Sequence, residues 1–233
     1  MNLEEDVERR TSFLEQFPGV PWVRFPACRG GLMWGEIARG LGWLGDIRET
    51  YGGEKIEKPR WGTVGCSLSH LFCLQMASIC GGIVLFPDDL LNTKQVDLPW
   101  LVREAMKHRP AGAGWIKLKN HEPNFLEEHV SGGQVFRRLA AGSRDDFQNK
   151  GNLGSGAVII LQEQARWLLD RLPPVTSRGI DYELREMLEA VPGGCWEMLE
   201  TGIVTRARDG DYGGSSRKRI DGRGKHRWRR ECS

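Results

Sequence analysis

The chain contains no run approaching the roughly 20 apolar residues that a bilayer-crossing helix needs. It has no C-x-x-C pair among its six cysteines, so the usual zinc-ligand spacing is missing. Its first ten residues, MNLEEDVERR, are charged and contain no apolar stretch of the kind a secretory signal carries. No internal repeat is visible. These absences set aside membrane-spanning, zinc-ribbon and repeat architectures, and the expected location is cytoplasmic or peripheral to a membrane surface.

What is present is ordinary for a globular protein. The 233 residues are 39% hydrophobic and 27% charged, enough for a core that closes without staples. Cys28, Cys66, Cys73, Cys80, Cys195 and Cys232 are scattered, a usage that suits a reducing compartment. Cys66, Cys73 and Cys80 recur every seven residues, which suggests small thiols along one packed helix face. Charge is unevenly placed. Residues 217–230, RKRIDGRGKHRWRR, hold eight Lys or Arg and one Asp, so they carry +7 and leave the rest at −5 against a total of +2. We therefore divide the chain into a domain over 1–205 and a basic, poorly ordered tail over 206–233. The tail could meet an anionic surface, bind nucleic acid or stay solvated, and the residues do not separate these readings.

Periodicity predicts helices over 4–16, 62–78, 98–108, 162–171 and 179–190. Short strands are expected at 20–25, 81–86, 114–119 and 156–161, the later ones continuous apolar runs that suit strands covered on both faces. Residues 30–44 read as irregular with one helical turn near Glu36–Arg39. Residues 120–150 read as a polar loop with a short helix near 134–140. Alternating strands and helices imply an α/β fold with a mostly parallel sheet, whose ligands sit outside the carboxyl ends of the strands.

One stretch raises a chemical question. In GGIVLFPDD, residues 81–89, Asp88 and Asp89 follow a greasy strand. Adjacent carboxylates either stand in water in an ordinary turn or await a cation. Oxygen ligands of this kind favour magnesium or manganese over zinc.

The order of motifs is similar to that of glycosyltransferase family 25, the lipooligosaccharide and collagen galactosyltransferase type. The pieces are NLEEDVERR, VRFPACRGG, GTVGCSLSH (Gly62 to His70), VLFPDD, WIKLK, GNLGSGAVII and PPVTSRGIDYEL, spread over roughly residues 2–190. Two departures stand out. Pro87 occupies the place of the family's usual Glu, and the apolar strand that precedes Asn-Leu in the family has no counterpart ahead of Met1. The resemblance implies a GT-A-like (Rossmann-like) fold with its first strand missing. It also implies transfer of a hexose, galactose from UDP-galactose, to a hydroxyl of a glycan, lipid-linked or protein acceptor with inversion. Asp88 and Asp89 would hold Mn2+ or Mg2+ at the donor diphosphate. Arg9, Arg10, His70, Asn152, Gly154 and Ser155 would bind the donor, and Asp181 would be the catalytic base. Each has a plainer reading: a solvated helix face for the arginines, a structural bond for His70, a turn for 152–155, and a helix cap for Asp181. Asp209 and Asp211, in RDGDYGG, are a rival acidic pair outside the resemblance. The alternative function is an inactive relative that binds sugar or a partner.

Because residues 217–233 lack apolar periodicity, deleting them should leave the thermal melt unchanged. Binding to anionic vesicles should weaken, and that binding should fall steeply with added salt. A lowered melting temperature on deletion would show instead that the tail packs on the domain.

Overall fold

In a computed structural model the chain is described over residues 4–43, 61–88, 90–118, 125–141, 156–172, 174 and 179–205. The elements in order are α1 (Val7–Gln16), α2 (Leu32–Gly40), α3 (Trp61–Cys80), β1 (Gly82–Leu85), β2 (Leu90–Asn92), α4 (Leu98–His108), β3 (Trp115–Lys117), β4 (Phe125–Ser131), β5 (Gln134–Leu139), β6 (Val158–Leu161), α5 (Gln162–Arg171), α6 (Ile180–Glu186), β7 (Cys195–Met198) and β8 (Ile203–Thr205). Six strands form one sheet in the order β1-β6-β3-β7-β5-β4, and β2 pairs with β8 in a small second sheet.

The expected α/β class holds, but the sheet is mixed rather than mostly parallel. Only β3 and β7 pair in parallel; the β1/β6, β6/β3, β7/β5 and β5/β4 pairs are antiparallel. The apolar runs report burial on both faces, and burial comes from the helices above and below, whichever way the strands run. Side chains alternate between two cores. Trp115, Val158, Ile160 and Cys195 face α3 and α5, together with Leu68, Leu74, Ala77 and Leu168. Ile116, Ile159, Trp196 and Met198 face the other way, toward Leu101 and Ala105 of α4 and toward Phe13 and Phe17 of α1. Among the described residues no helix is long and apolar enough to cross a membrane.

Several local expectations are corrected. Residues 20–25 form no strand; the stretch makes only an isolated bridge at Pro26, just beyond it. Instead Trp22 joins Phe13, Phe17 and Phe86 in an aromatic cluster with ring centroids 5.0–5.9 Å from its own. Residues 32–40 form a full helix, which three glycines in and beside it had masked. Residues 125–139 form a hairpin rather than a loop and a helix. Ser131 faces Gln134 across Gly132-Gly133, both at positive φ, a two-residue turn that glycine permits. Its outward Glu and Arg pairs, Glu127–Arg138 at 2.9 Å and Glu128–Arg137 at 3.0 Å, hide the strand alternation from a hydropathy reading.

The stripe of small residues on α3 does bring a backbone close, but at Gly65 that backbone is residues 28–30 rather than the sheet. A Cβ on Gly65 would lie 2.4 Å from the Cys28 carbonyl oxygen and 2.6 Å from the Gly30 nitrogen. One turn on, the Ser69 hydroxyl donates to the Gly65 carbonyl and accepts the Cys28 N–H, both at 2.7 Å. The seven-residue cysteine repeat drifts around the helix: Cys73 is buried, Cys66 half-buried and Cys80 exposed.

Gly65→Ala should therefore cost about 1–3 kcal/mol through overpacking against backbone that cannot give way. Gly40→Ala, where nothing lies within 4 Å, serves as the control and should be neutral or slightly stabilising. Urea denaturation of the two variants would decide; equal stability would mean that 28–30 moves freely off α3.

Candidate functional site

β1, β3 and β7 all run the same way, since β1 and β3 are each antiparallel to the β6 strand between them. Their carboxyl ends therefore meet at one edge of the sheet. α3 leads into β1 through a single residue, Gly81, and packs along it, so its amino-terminal half lies at that same edge. Asp88 follows β1 there. The Ile180 N–H, at the start of α6, donates to the Ser67 hydroxyl of α3 at 3.2 Å, which brings Asp181 to the same end. Asp88 lies beside α1, on the α4 side of the sheet, whereas Asp181 sits with α6 on the α3 side.

The cation that meets Asp88 is supplied by the chain itself. Arg9 Nη2 lies 2.9 Å from Asp88 Oδ1, and Arg9 Nη1 lies 3.5 Å from Asp6 Oδ2. The three side chains are largely buried, at 15% for Arg9, 13% for Asp88 and 3% for Asp6. A guanidinium between two carboxylates in partial shelter from water is a strong arrangement, because its donors fan out in one plane. The position of α1 makes it possible. At the far end of the helix, Gln16 Oε1 accepts the Asn92 N–H at 3.0 Å, so α1 is fastened to the segment after β1 at both ends. Glu5, just ahead of Asp6, pairs with Arg29 at 3.4 Å, next to the 28–30 backbone held on α3. The start of α1 thus wraps the sheet end from one face to the other.

Two of the donor and metal residues proposed from the sequence, Arg9 and Asp88, are joined directly. Arg10 is half-buried on the same helix, its N–H donating to the Asp6 carbonyl at 3.1 Å. His70 lies elsewhere: it is 4% exposed and lines a small cavity with Cys73, Leu74, Leu85, Trp115, Val158, Ile160 and Leu184. That cavity has room for about one water molecule and cannot take a sugar nucleotide. Asp181 is half-buried. It does not cap α6: Gly179 is the N-cap, and Asp181 stands within the first turn with Glu183. Carboxylates in that turn are favoured by the helix dipole. Asp89, Asn152, Gly154, Ser155, Asp209 and Asp211 lie outside the described residues.

No protein-family model matches the chain, and no curated protein sequence matches it.

Sequence reasoning missed two features of this end. One is Asp6, which the sequence places at the start of the 4–16 helix; the spacing Asp6-x-x-Arg9 was the available signal. The other is a buried pair of opposite charges. Lys117 closes β3 and stands in register with Glu197 of β7, and both are nearly inaccessible, at 3% and 0%. On the same face, burial pushes the Cys195 thiol up to about 12, with the Lys117 charge lowering it and Glu197 raising it. Burial likewise pushes the Cys73 thiol up to about 11. Both thiols stay protonated at neutral pH and have no nucleophilic role there.

Replacing Arg9 by Gln should destabilise the protein by roughly 2–3 kcal/mol, less than the ~3–5 of a fully buried pair because some water contact remains. Adding Asp6→Asn to Arg9→Gln should recover part of that loss, since it removes a buried carboxylate left without its guanidinium. A double-mutant cycle by chemical denaturation reads this, and simple additivity of the two changes would show that Asp6 and Arg9 do not interact.

Proposed function

We propose that the chain is a hexosyltransferase that binds the diphosphate of a UDP-sugar at the carboxyl ends of β1, β3 and β7 and transfers the sugar to a hydroxyl. The observation that carries this reading is that the Asp88–Arg9 pair, on the α4 side, and the start of α6 bonded to Ser67, on the α3 side, lie at one end of the sheet. The family resemblance supplies the reaction class, with galactose as the sugar and inversion as the outcome.

The charges bear on the cation. Asp6 and Asp88 against Arg9 leave the trio at a formal −1, and a diphosphate brings further negative charge. A divalent cation would reverse that balance and would supply charge stabilisation to the leaving diphosphate. Among the described residues, however, no three His, Cys, Asp or Glu side chains gather to hold a metal ion, and Asp88 Oδ1 already engages Arg9. The described donors alone do not make up a Mn2+ or Mg2+ site, so no step is assigned to the metal. Arg9 and Arg10 are the groups in this chain that would meet phosphate oxygens.

In the transfer itself the acceptor oxygen forms its bond to the anomeric carbon opposite the diphosphate. The carbon–oxygen bond to the diphosphate breaks, and the acceptor proton passes to a carboxylate. Asp181 is the proposed base. The second reading, an inactive relative that binds sugar or a partner, draws on Pro87 in place of an acid and on the engagement of Asp88 by Arg9.

Titrating UDP with and without manganese tests the site: tighter binding with the cation, lost in the Asp88→Asn/Asp89→Asn variant, is the expected result. Equal affinity in both conditions would remove the metal from the proposal. Asp181→Asn should lower turnover on the order of 10²-fold or more with UDP affinity little changed. Near-normal turnover in that variant would move the base elsewhere, to Glu183 or to Asp145 and Asp146, and UDP binding without turnover of any sugar nucleotide would favour the second reading.

A further inference from the structure

β4 is an edge of the six-stranded sheet, with β5 as its only neighbour among the described residues. An edge strand presents a row of backbone N–H and C=O groups that a further strand can pair with, and proteins commonly blunt such edges with Lys or Pro. β4, FLEEHVS, is seven residues long and contains neither; its charges, Glu127 and Glu128, are held by Arg138 and Arg137 of β5, and its one bulge lies near its start, between Phe125 and Glu127. Its apolar side chains are turned to solvent: Phe125 is 45% exposed, Leu126 52% and Val130 63%. It is also rigidly presented. The strand is braced by β5 in unbroken register from Glu127 to Ser131, with a bulge at Leu126, and its turn is held on α4 by His108, whose ring packs against Gly132 and bonds Ser131 Oγ at 3.1 Å.

We propose that β4 is a homodimer interface, in which two copies of the chain pair their β4 strands antiparallel about a two-fold axis at Glu128. The occupant follows from the strand's own self-complementarity. In that register Leu126 lies opposite Val130 of the second copy, and Glu127 lies opposite His129, each contact made twice. An acid meets an imidazole and an apolar side chain meets an apolar one. The two Glu128 side chains face each other, but each is already paired with its own Arg137 at 3.0 Å, which offsets their repulsion. The neighbouring registers that keep side chains on their proper faces are shifted by two residues. One sets Leu126 against Glu128 and the other sets Val130 against Glu128, so both bury a charge against an apolar residue. Self-pairing in this way gives a closed, isologous dimer rather than an open fibre. It does not depend on the proposed transferase reaction.

The full-length chain should sediment at twice its monomer mass at micromolar concentration. Val130→Lys, which puts a charge opposite Leu126 and on the open edge, should return it to the monomer with an unchanged far-UV spectrum and melt. The register has a separate signature. In a Cys80→Ser/Cys232→Ser background, Glu128→Cys should yield a disulfide-linked dimer on mild oxidation, because the two-fold sets residue 128 beside itself within disulfide reach. Val130→Cys in the same background should not cross-link, since it faces Leu126. A chain that is monomeric at all concentrations, a dimer untouched by Val130→Lys, or cross-linking through residue 130 but not 128 would each overturn the proposal.

Discussion

Two carboxylates drawn partly out of water need a cation between them, and the arrangement of this sheet end follows from the one that answers. Arg9 stands between Asp6 and Asp88, 2.9 Å from the latter. To bring it there, α1 must lie against the segment that leaves β1. The helix is held in that place by the aromatic cluster of Phe13, Phe17, Trp22 and Phe86 and by Gln16 on Asn92. The ion pair needs this packing, because a long arginine pinned to an exposed acid would contribute little. The second carboxylate, Asp6, is buried as well.

The same end of the sheet is stitched together by small side chains. Gly65 admits the 28–30 backbone, Ser69 bonds Cys28, and Ser67 receives the first N–H of α6. The GTVGCSLSH block therefore acts as a seam at Gly65, Ser67 and Ser69, letting two segments, 28–30 and the start of α6, approach α3. His70, at its end, turns inward to the core cavity. Three of the block's nine residues thus join chain segments, while Val64, Leu68 and His70 face the core, and the charged groups at this end come from α1, Asp88 and the start of α6.

Two kinds of burial are at work in the sheet. The apolar residues of β3, β6 and β7 alternate between two helix-covered cores, and that burial is where most of the folding free energy arises; β1 buries Leu85 on one side only and leaves Val84 exposed. Lys117 and Glu197 are buried for a different reason. Each would be costly alone, and the parallel β3/β7 register sets the two opposite charges on neighbouring strands. The charged faces of β4 and β5 complete the pattern at the opposite edge, where Glu–Arg pairs stay in contact with water.

Helices α1, α3, α4 and α5 and strands β1, β3 and β6 were legible in the sequence because each depends on a local pattern: the 3.6-residue spacing of Leu68, Leu71 and Phe72, or an unbroken run such as Val158–Leu161. Asp88 and Arg9 were also legible as candidate chemistry, from their residue types and their places beside a strand end and in a helix. Strand direction was not legible, since an apolar run records how much of a strand is covered and nothing about its neighbour's sense. Nor was the β4–β5 hairpin, whose outward faces are charged so that paired Glu and Arg replaced the expected alternation. The pairing of Asp88 with Arg9 joins residues 79 positions apart in sequence, and Lys117 stands in register with Glu197 across 80. Local periodicity carries no information at that range. Only the packing of α1 onto the end of β1, and of β3 beside β7, decides which charge each of these acids meets.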